Sequence, residues 1–151
     1  MIRMKSLMLV LAALLLVAGK TPARAADLPT TLMDPYLRIH VSLADDKMDG
    51  VTASAKSLGE QALKLGPTAQ PVAKSATKLA AAKDLTTART AFGELSDAMT
   101  AYAKATGATF GPDINLVVCP MVHKPWLQKG TKVTNPYFGK SMLTCGDIQK
   151  G

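Results

Sequence analysis

Apolar side chains recur at alternating spacings of three and four residues along two long stretches of this 151-residue chain. Residues with this spacing return to one side of an α-helix, so each stretch predicts a helix that lies lengthwise against other helices. We call these stripes the first seam and the second seam. The first contains Leu37, Val41, Ala44, Met48, Val51, Ala55, Leu58, Ala62 and Leu65, and the second contains Leu85, Ala88, Phe92, Leu95, Met99, Tyr102 and Thr106.

Local sequence signals mark both ends of the helix that carries the first seam. Asp34 can accept hydrogen bonds from the free N–H groups of a first turn, and Pro35 suits the first helical position. Gly66 followed by Pro67 is typical of a helix end, since glycine adopts the left-handed cap and proline cannot continue the helix. These signals predict one helix from about residue 35 to residue 65.

Two more helices complete the helical part, which we expect over about residues 33–107. An Ala- and Lys-rich stretch predicts one over residues 68–83. Asp84 then caps the helix of the second seam, and Gly107 ends it. Three amphipathic helices joined by short links predict a mainly α fold, an up-down bundle of three helices.

The chain changes character at residues 109–151, which are rich in Gly and Pro and have no helical period. Short apolar runs at 116–118 and 142–144 predict strands, and residues 135–139 predict turns that orient the second of these runs. We therefore expect a small, irregular or β-hairpin C-terminal lobe. The length of the whole chain favours a single domain over residues 26–151, in which this lobe packs with the helices.

Residues 1–25 have the pattern of a secretory signal peptide. Arg3 and Lys5 precede an apolar run over residues 6–19, and small residues come next at the expected cleavage point. The run is shorter than the roughly 20 residues of a membrane-spanning helix, and no cysteine stands after it to carry a lipid anchor. We expect a mature protein with no membrane span that is periplasmic or secreted.

Charge and motif content argue against two classes of function. Four of the 18 Lys and Arg residues and none of the 11 Asp and Glu residues lie in the predicted signal peptide, so the remainder has a net charge of +3. Scattered lysines at that charge do not predict a nucleic-acid surface. We also find no catalytic triad, no paired carboxylates in a recognisable setting and no phosphate-binding loop, so we expect no enzymatic activity.

The C-terminal lobe carries two clusters of metal-binding side chains. Cys119, Met121 and His123 are spaced two apart, which would place them on one face of an extended strand. Met142 and Cys145 are three apart, a spacing that one turn brings together. A hairpin pairing the two clusters would gather all five donors. Thiolate and thioether ligands select Cu(I), while imidazole also suits Cu(II) and zinc.

Other interpretations of these residues remain open. In an exported protein, Cys119 and Cys145 could instead form a disulfide, which would close a loop of about 26 residues and contribute roughly 3 kcal/mol. Met121 and Met142 could simply fill gaps in a small core. His40 in the first helix is either a boundary or surface residue or a further ligand that completes the metal site.

Residues 118–146 read V-C-P-M-V-H-K-P-W-L-Q-K-G-T-K-V-T-N-P-Y-F-G-K-S-M-L-T-C-G. This run resembles the C-terminal signature of the DUF3347 family, small exported bacterial proteins whose module is also appended to periplasmic adaptor subunits of copper and silver efflux systems. The helical part is similar only in pattern. The resemblance implies binding of heavy metal, chiefly copper, and His123 falls in a stretch that varies in the family. The ligands it implies are Cys119, Met121, Met142 and Cys145.

These observations together predict a periplasmic protein that binds Cu(I), with Ag(I) and zinc as alternative ions. It would sequester the metal or pass it to an efflux adaptor or another copper-accepting protein. The competing hypothesis is a structural or interaction module stapled by a disulfide, with no function in metal binding.

Overall fold

The computed structural model describes residues 25–150, so the predicted signal peptide lies outside the described residues except for Ala25. Within them no helix is long and apolar enough to cross a membrane. Each of the four helices packs on the next one along the chain. They are α1 (Thr30–Ala44), α2 (Val51–Lys64), α3 (Gln70–Ala80) and α4 (Leu85–Thr106).

The prediction of a single helix from about residue 35 to residue 65 was wrong, because the chain leaves the helical path between α1 and α2. Asp46 and Gly50 both have positive φ, 61° and 73°, which no helix interior tolerates. The Ser42 hydroxyl donates to the Asp49 carbonyl at 2.8 Å and stabilises the turn. The bundle therefore has four helices, and the break lets α2 pack against α1.

The break also changes which residues of α1 are buried. The helix begins at Thr30, so Asp34 and Pro35 lie inside it and do not mark its start. Val41 of the first seam is 58% exposed, whereas α2 buries that seam from Val51 to Ala62 as predicted. Leu65, just after α2, is 38% exposed. The residues that α1 buries most completely are Leu32, Tyr36, Ile39 and Leu43.

The last two helices match their predictions. The Asp84 side chain accepts a hydrogen bond from the Thr87 N–H at 2.8 Å, and Gly107 ends α4 with φ 68°. The second seam is buried from Ala88 to Tyr102. Local capping and an uninterrupted apolar stripe are enough to specify α4.

The C-terminal residues form a three-stranded antiparallel sheet in the order β2-β1-β3, with β1 at Ile114–Cys119, β2 at Lys124–Lys129 and β3 at Asp147–Ile148. The strand predicted at 116–118 is thus confirmed within β1. The strand predicted at 142–144 was wrong: a 3₁₀ turn at Gly139–Met142 and a further turn occupy this segment. The reason is local, since the Leu143 carbonyl accepts a hydrogen bond from the backbone N–H of Asn135, in the preceding loop.

The sheet and the helices share one buried core. The Tyr36 hydroxyl of α1 lies 2.6 Å from Ser96 Oγ of α4 and accepts the Leu127 N–H of β2 at 3.1 Å. Aromatic rings continue this contact across the interface, from Tyr36 to Phe92 at 5.0 Å and onward to the loop after β2. The helices therefore hold the sheet, and the cysteine at the end of β1, in a fixed position.

Candidate functional site

Cys119 is the last residue of β1, and its side chain is fully buried. Beside it lies Asn135, which is also fully buried. The Asn135 Nδ2 atom lies 3.4 Å from Cys119 Sγ and donates to the Cys145 carbonyl at 2.6 Å. One amide group therefore contacts both cysteines, which are separated by 26 positions in the sequence.

Hydrogen bonds on every side fix the position of Asn135. Its Oδ1 atom accepts the backbone N–H groups of Tyr137 at 2.8 Å and Phe138 at 3.3 Å. Its own backbone N–H donates to Leu143 at 2.7 Å, and its carbonyl accepts from Gly139 at 3.0 Å. The turn predicted at 135–139 is confirmed, and its asparagine connects that turn to the segment carrying Cys145.

Cys145 is half-buried and comes after a turn in which its N–H donates to the Met142 carbonyl at 3.0 Å. The next residue, Gly146, packs directly on the sheet, since a Cβ there would overlap Trp126 and lie 2.9 Å from Val117 Cγ1. Glycine is thus required for this close approach, which presses the second cluster against the face of β1 that carries Cys119. The two cysteines are not joined by a disulfide in this structure.

Met121 and His123 occupy the turn between β1 and β2, outside any strand. The His123 N–H donates to the Cys119 carbonyl at 2.9 Å, His123 has φ 52°, and Met121 is 59% exposed. The expected strand face through Cys119, Met121 and His123 is therefore wrong, as is the hairpin between the two clusters. A tight turn ends β1 at Cys119, and β1 pairs with β2.

The structure thus brings the two cysteine-bearing segments together. Met142, three residues before Cys145, is half-buried, whereas Met121 and His123 lie at the exposed tip of the turn. Within residues 25–150, no group of three or more His, Cys, Asp or Glu side chains is close enough to hold a metal ion.

His40 lies in the interior and is 4% exposed, so it is not the surface residue that one of its two interpretations predicted. Its Nε2 atom donates to the carbonyl of Thr134 at 2.8 Å, one residue before Asn135. Burial lowers the pKa of His40. A neutral His40 ring therefore anchors α1 to the loop after β2, whose Asn135 contacts both cysteines.

Arg89 anchors the other side of this loop, a role that the sequence analysis missed. Its Nε atom donates to the Pro136 carbonyl at 2.9 Å, and Nη2 donates to the Leu43 carbonyl at 3.0 Å and to Asp46 Oδ1 at 2.5 Å. Hydrogen bonds, first from Arg89 and then from the backbone N–H of Lys140, hold the pKa of Asp46 below its usual value. An arginine within a helical stripe carries no sequence signal for such long-range contacts.

Comparison with known proteins adds no assignment: no protein-family model matches the chain, and neither a curated protein nor a solved structure matches it.

Proposed function

We propose that this protein binds Cu(I) outside the cytoplasm, with the thiolates of Cys119 and Cys145 as its principal ligands. Thioether sulfur from Met142 and Met121 completes the proposed site. The observation that carries the proposal is the contact of one buried amide, that of Asn135, with Cys119 Sγ and with the Cys145 carbonyl. With their segments held together in this way, the two cysteines would offer a soft ion a pair of anionic sulfur ligands.

Ligand chemistry favours copper over zinc. Zinc sites in proteins use cysteine, histidine and carboxylate ligands, usually four in a structural site. Two of the four sulfur donors here are thioethers, which suit Cu(I) and also Ag(I). The Asn135 amide would orient the Cys119 sulfur from outside the ligand set, as the neighbours of metal ligands generally do.

The unequal exposure of the donors supports a role in metal transfer. Cys119 is buried, Cys145 is half-buried, and Met121 is exposed at the turn after Cys119. A partner with its own thiol or thioether groups could reach the outer donors first and take the ion by stepwise ligand exchange. The protein would then buffer copper or pass it to an efflux adaptor or a copper-accepting protein.

Two sequence features support the setting. The run over residues 118–146 resembles DUF3347 proteins, for which copper binding outside the cytoplasm is expected. The residues just after the predicted cleavage point take part in the fold: the Ala26 carbonyl accepts the Thr109 N–H at 3.0 Å, and Leu28 is 3% exposed. An N-terminus at Ala26, found by mass spectrometry of the exported protein, would support the export part of the proposal.

A competition titration of the reduced mature protein against a chromophoric Cu(I) chelator, without oxygen, tests the proposal. Cys119→Ser or Cys145→Ser should each weaken Cu(I) binding at least about 100-fold, because each removes an anionic ligand. Met142→Leu should weaken it less, and His123→Gln tests the remaining nitrogen donor. Met48→Leu, also half-buried but placed in the loop before α2, is the matched control and should bind as the wild type does.

A second function rests on the same cysteines. The approach of their two segments, in an exported protein, also favours a disulfide, which would make this protein a stapled structural or interaction module. Counting thiols on the exported protein, with and without reductant, separates the two. A bond that persists under mild reductant, in a protein that binds no Cu(I) once it is fully reduced, would establish the module and contradict the copper proposal.

A further inference from the structure

A cavity of about 680 Å³ lies on the side of α1 that faces away from the bundle core. Its walls come from the second half of α1, the start of α2, the last residue of β2 and the loop after β2. The residues that give it its chemical character are Leu37, Arg38, Val41, Asp49, Lys129 and Lys132. This volume lies within the roughly 300–1,000 Å³ range of small-molecule sites.

The floor of the cavity is apolar and uncovered. Leu37 and Val41 lie one turn apart on α1, and Val41 is 58% exposed. Both belong to the first seam, so their spacing is that of a helix face that packs against something. In the described chain this part of the stripe is left open to the cavity.

The rim of the cavity is positively charged. Arg38, Lys129 and Lys132 line it together with a single carboxylate, Asp49. Among residues 25–150, the ion pairs formed by lysine and arginine involve none of these three cations. His40 in the back wall adds no positive charge near neutral pH, because burial lowers its pKa.

A second concavity shows what sets this one apart. A cavity of about 650 Å³ between α2 and α3 is of nearly equal volume and also has an exposed leucine, Leu63, at its edge. Its lining contains only one charged residue, Lys74. The two cavities therefore differ in charge far more than in size, and the second serves as an internal control.

We propose that the cavity on α1 binds an amphipathic organic anion. Its aliphatic or aromatic body would lie on Leu37 and Val41, and its carboxylate or sulfonate would be held by the cations at the rim. Burial of apolar surface supplies the affinity, and the excess of positive charge selects anions over cations of the same shape. This site is separate from the two cysteines, so it does not depend on the copper proposal.

Dodecanoate, used below its micellar concentration, is a suitable probe. Isothermal titration calorimetry should show saturable binding of one molecule per chain, weakened by added salt. Dodecyltrimethylammonium has the same tail and a positive head, so it should bind at least about tenfold more weakly. Amide chemical shifts in the NMR spectrum should change along the second half of α1 and at residues 129–134.

Two variants separate the tail contact from the head contact. Val41→Glu places a carboxylate on the apolar floor and should reduce dodecanoate affinity by at least about tenfold. Lys132→Glu reverses one rim charge and should reduce it by about three- to tenfold. Both residues are exposed, so the fold should be retained, which circular dichroism can verify.

Leu63→Glu and Lys74→Glu make the same changes at the second cavity and should leave dodecanoate binding unchanged. The proposal is overturned if dodecanoate binding does not reach saturation by about 1 mM ligand, since a dissociation constant in that range marks a very weak ligand. Equal binding of the cationic amphiphile would also overturn it, as would equal losses in the control variants.

Discussion

Replacement of Asn135 by leucine tests whether this buried amide organises the candidate site. The substitution removes the acceptor of the Tyr137 and Phe138 N–H groups and the donor to the Cys145 carbonyl. Each buried polar group left without a partner costs about 1–3 kcal/mol. Since the bond from Phe138 is long, at 3.3 Å, we expect a loss of roughly 3–5 kcal/mol in the free energy of unfolding.

Urea denaturation of the reduced protein measures this loss, and Asn115→Leu is the matched control. The Asn115 side chain is half-buried and makes one hydrogen bond, from Nδ2 to the Gly130 carbonyl at 2.9 Å, so its loss should cost about 1 kcal/mol. A loss in the free energy of unfolding that is no larger for Asn135→Leu than for Asn115→Leu would refute this role of Asn135.

Asn135→Asp divides the two roles of this side chain. The carboxylate keeps an acceptor for the loop N–H groups but loses the donor to Cys119 Sγ and to the Cys145 carbonyl. We expect a loss of stability at least as large as in the leucine variant, because a carboxylate buried against the Cys145 carbonyl has no cation to pair with in the described part of the chain. We also expect about 10- to 100-fold weaker Cu(I) binding, the usual effect of removing a contact to a metal ligand. Unchanged Cu(I) affinity would mean that Asn135 serves the loop alone.

Three other predictions concern pH and packing. Burial lowers the pKa of His40 below 6.5, so stability should fall as the pH drops below about 6.5, and His40→Gln should lack this loss in urea titrations at a series of pH values. The depressed pKa of Asp46 means that its pairing with Arg89 stabilises the fold above about pH 3.8 and is lost as the pH falls through the lower, folded-state pKa. Asp46→Asn should abolish that part of acid unfolding. Gly146→Ala should cost about 1–3 kcal/mol in thermal unfolding, because the added methyl group overlaps Trp126.

The helices that local signals specify are the ones that could be predicted. Asp84 and Gly107 act within one turn of the ends of α4, and the second seam runs without interruption between them. The break between α1 and α2 could not be read from the first seam, since Met48 continues the three–four spacing through the loop. The dipeptide Asp49-Gly50 was the available signal, because glycine after aspartate is typical of turns.

The candidate site was predicted in its residue types and only partly in its geometry. Soft side chains near Cys119 and Cys145 are visible in the sequence. Their approach depends on contacts between distant residues, such as Gly146 against Trp126, that no spacing rule contains. The turn that exposes Met121 and ends β1 at Cys119 likewise results from the pairing of β1 with β2.

X-ray absorption at the copper edge of the reduced, Cu(I)-loaded protein tests the central claim most directly. We expect a first coordination shell that contains at least two sulfur atoms. The Cys119→Ser/Cys145→Ser double variant should lose that shell together with the bound copper. A wild-type shell made only of nitrogen and oxygen, or a reduced wild-type protein that takes up no Cu(I), would contradict the account.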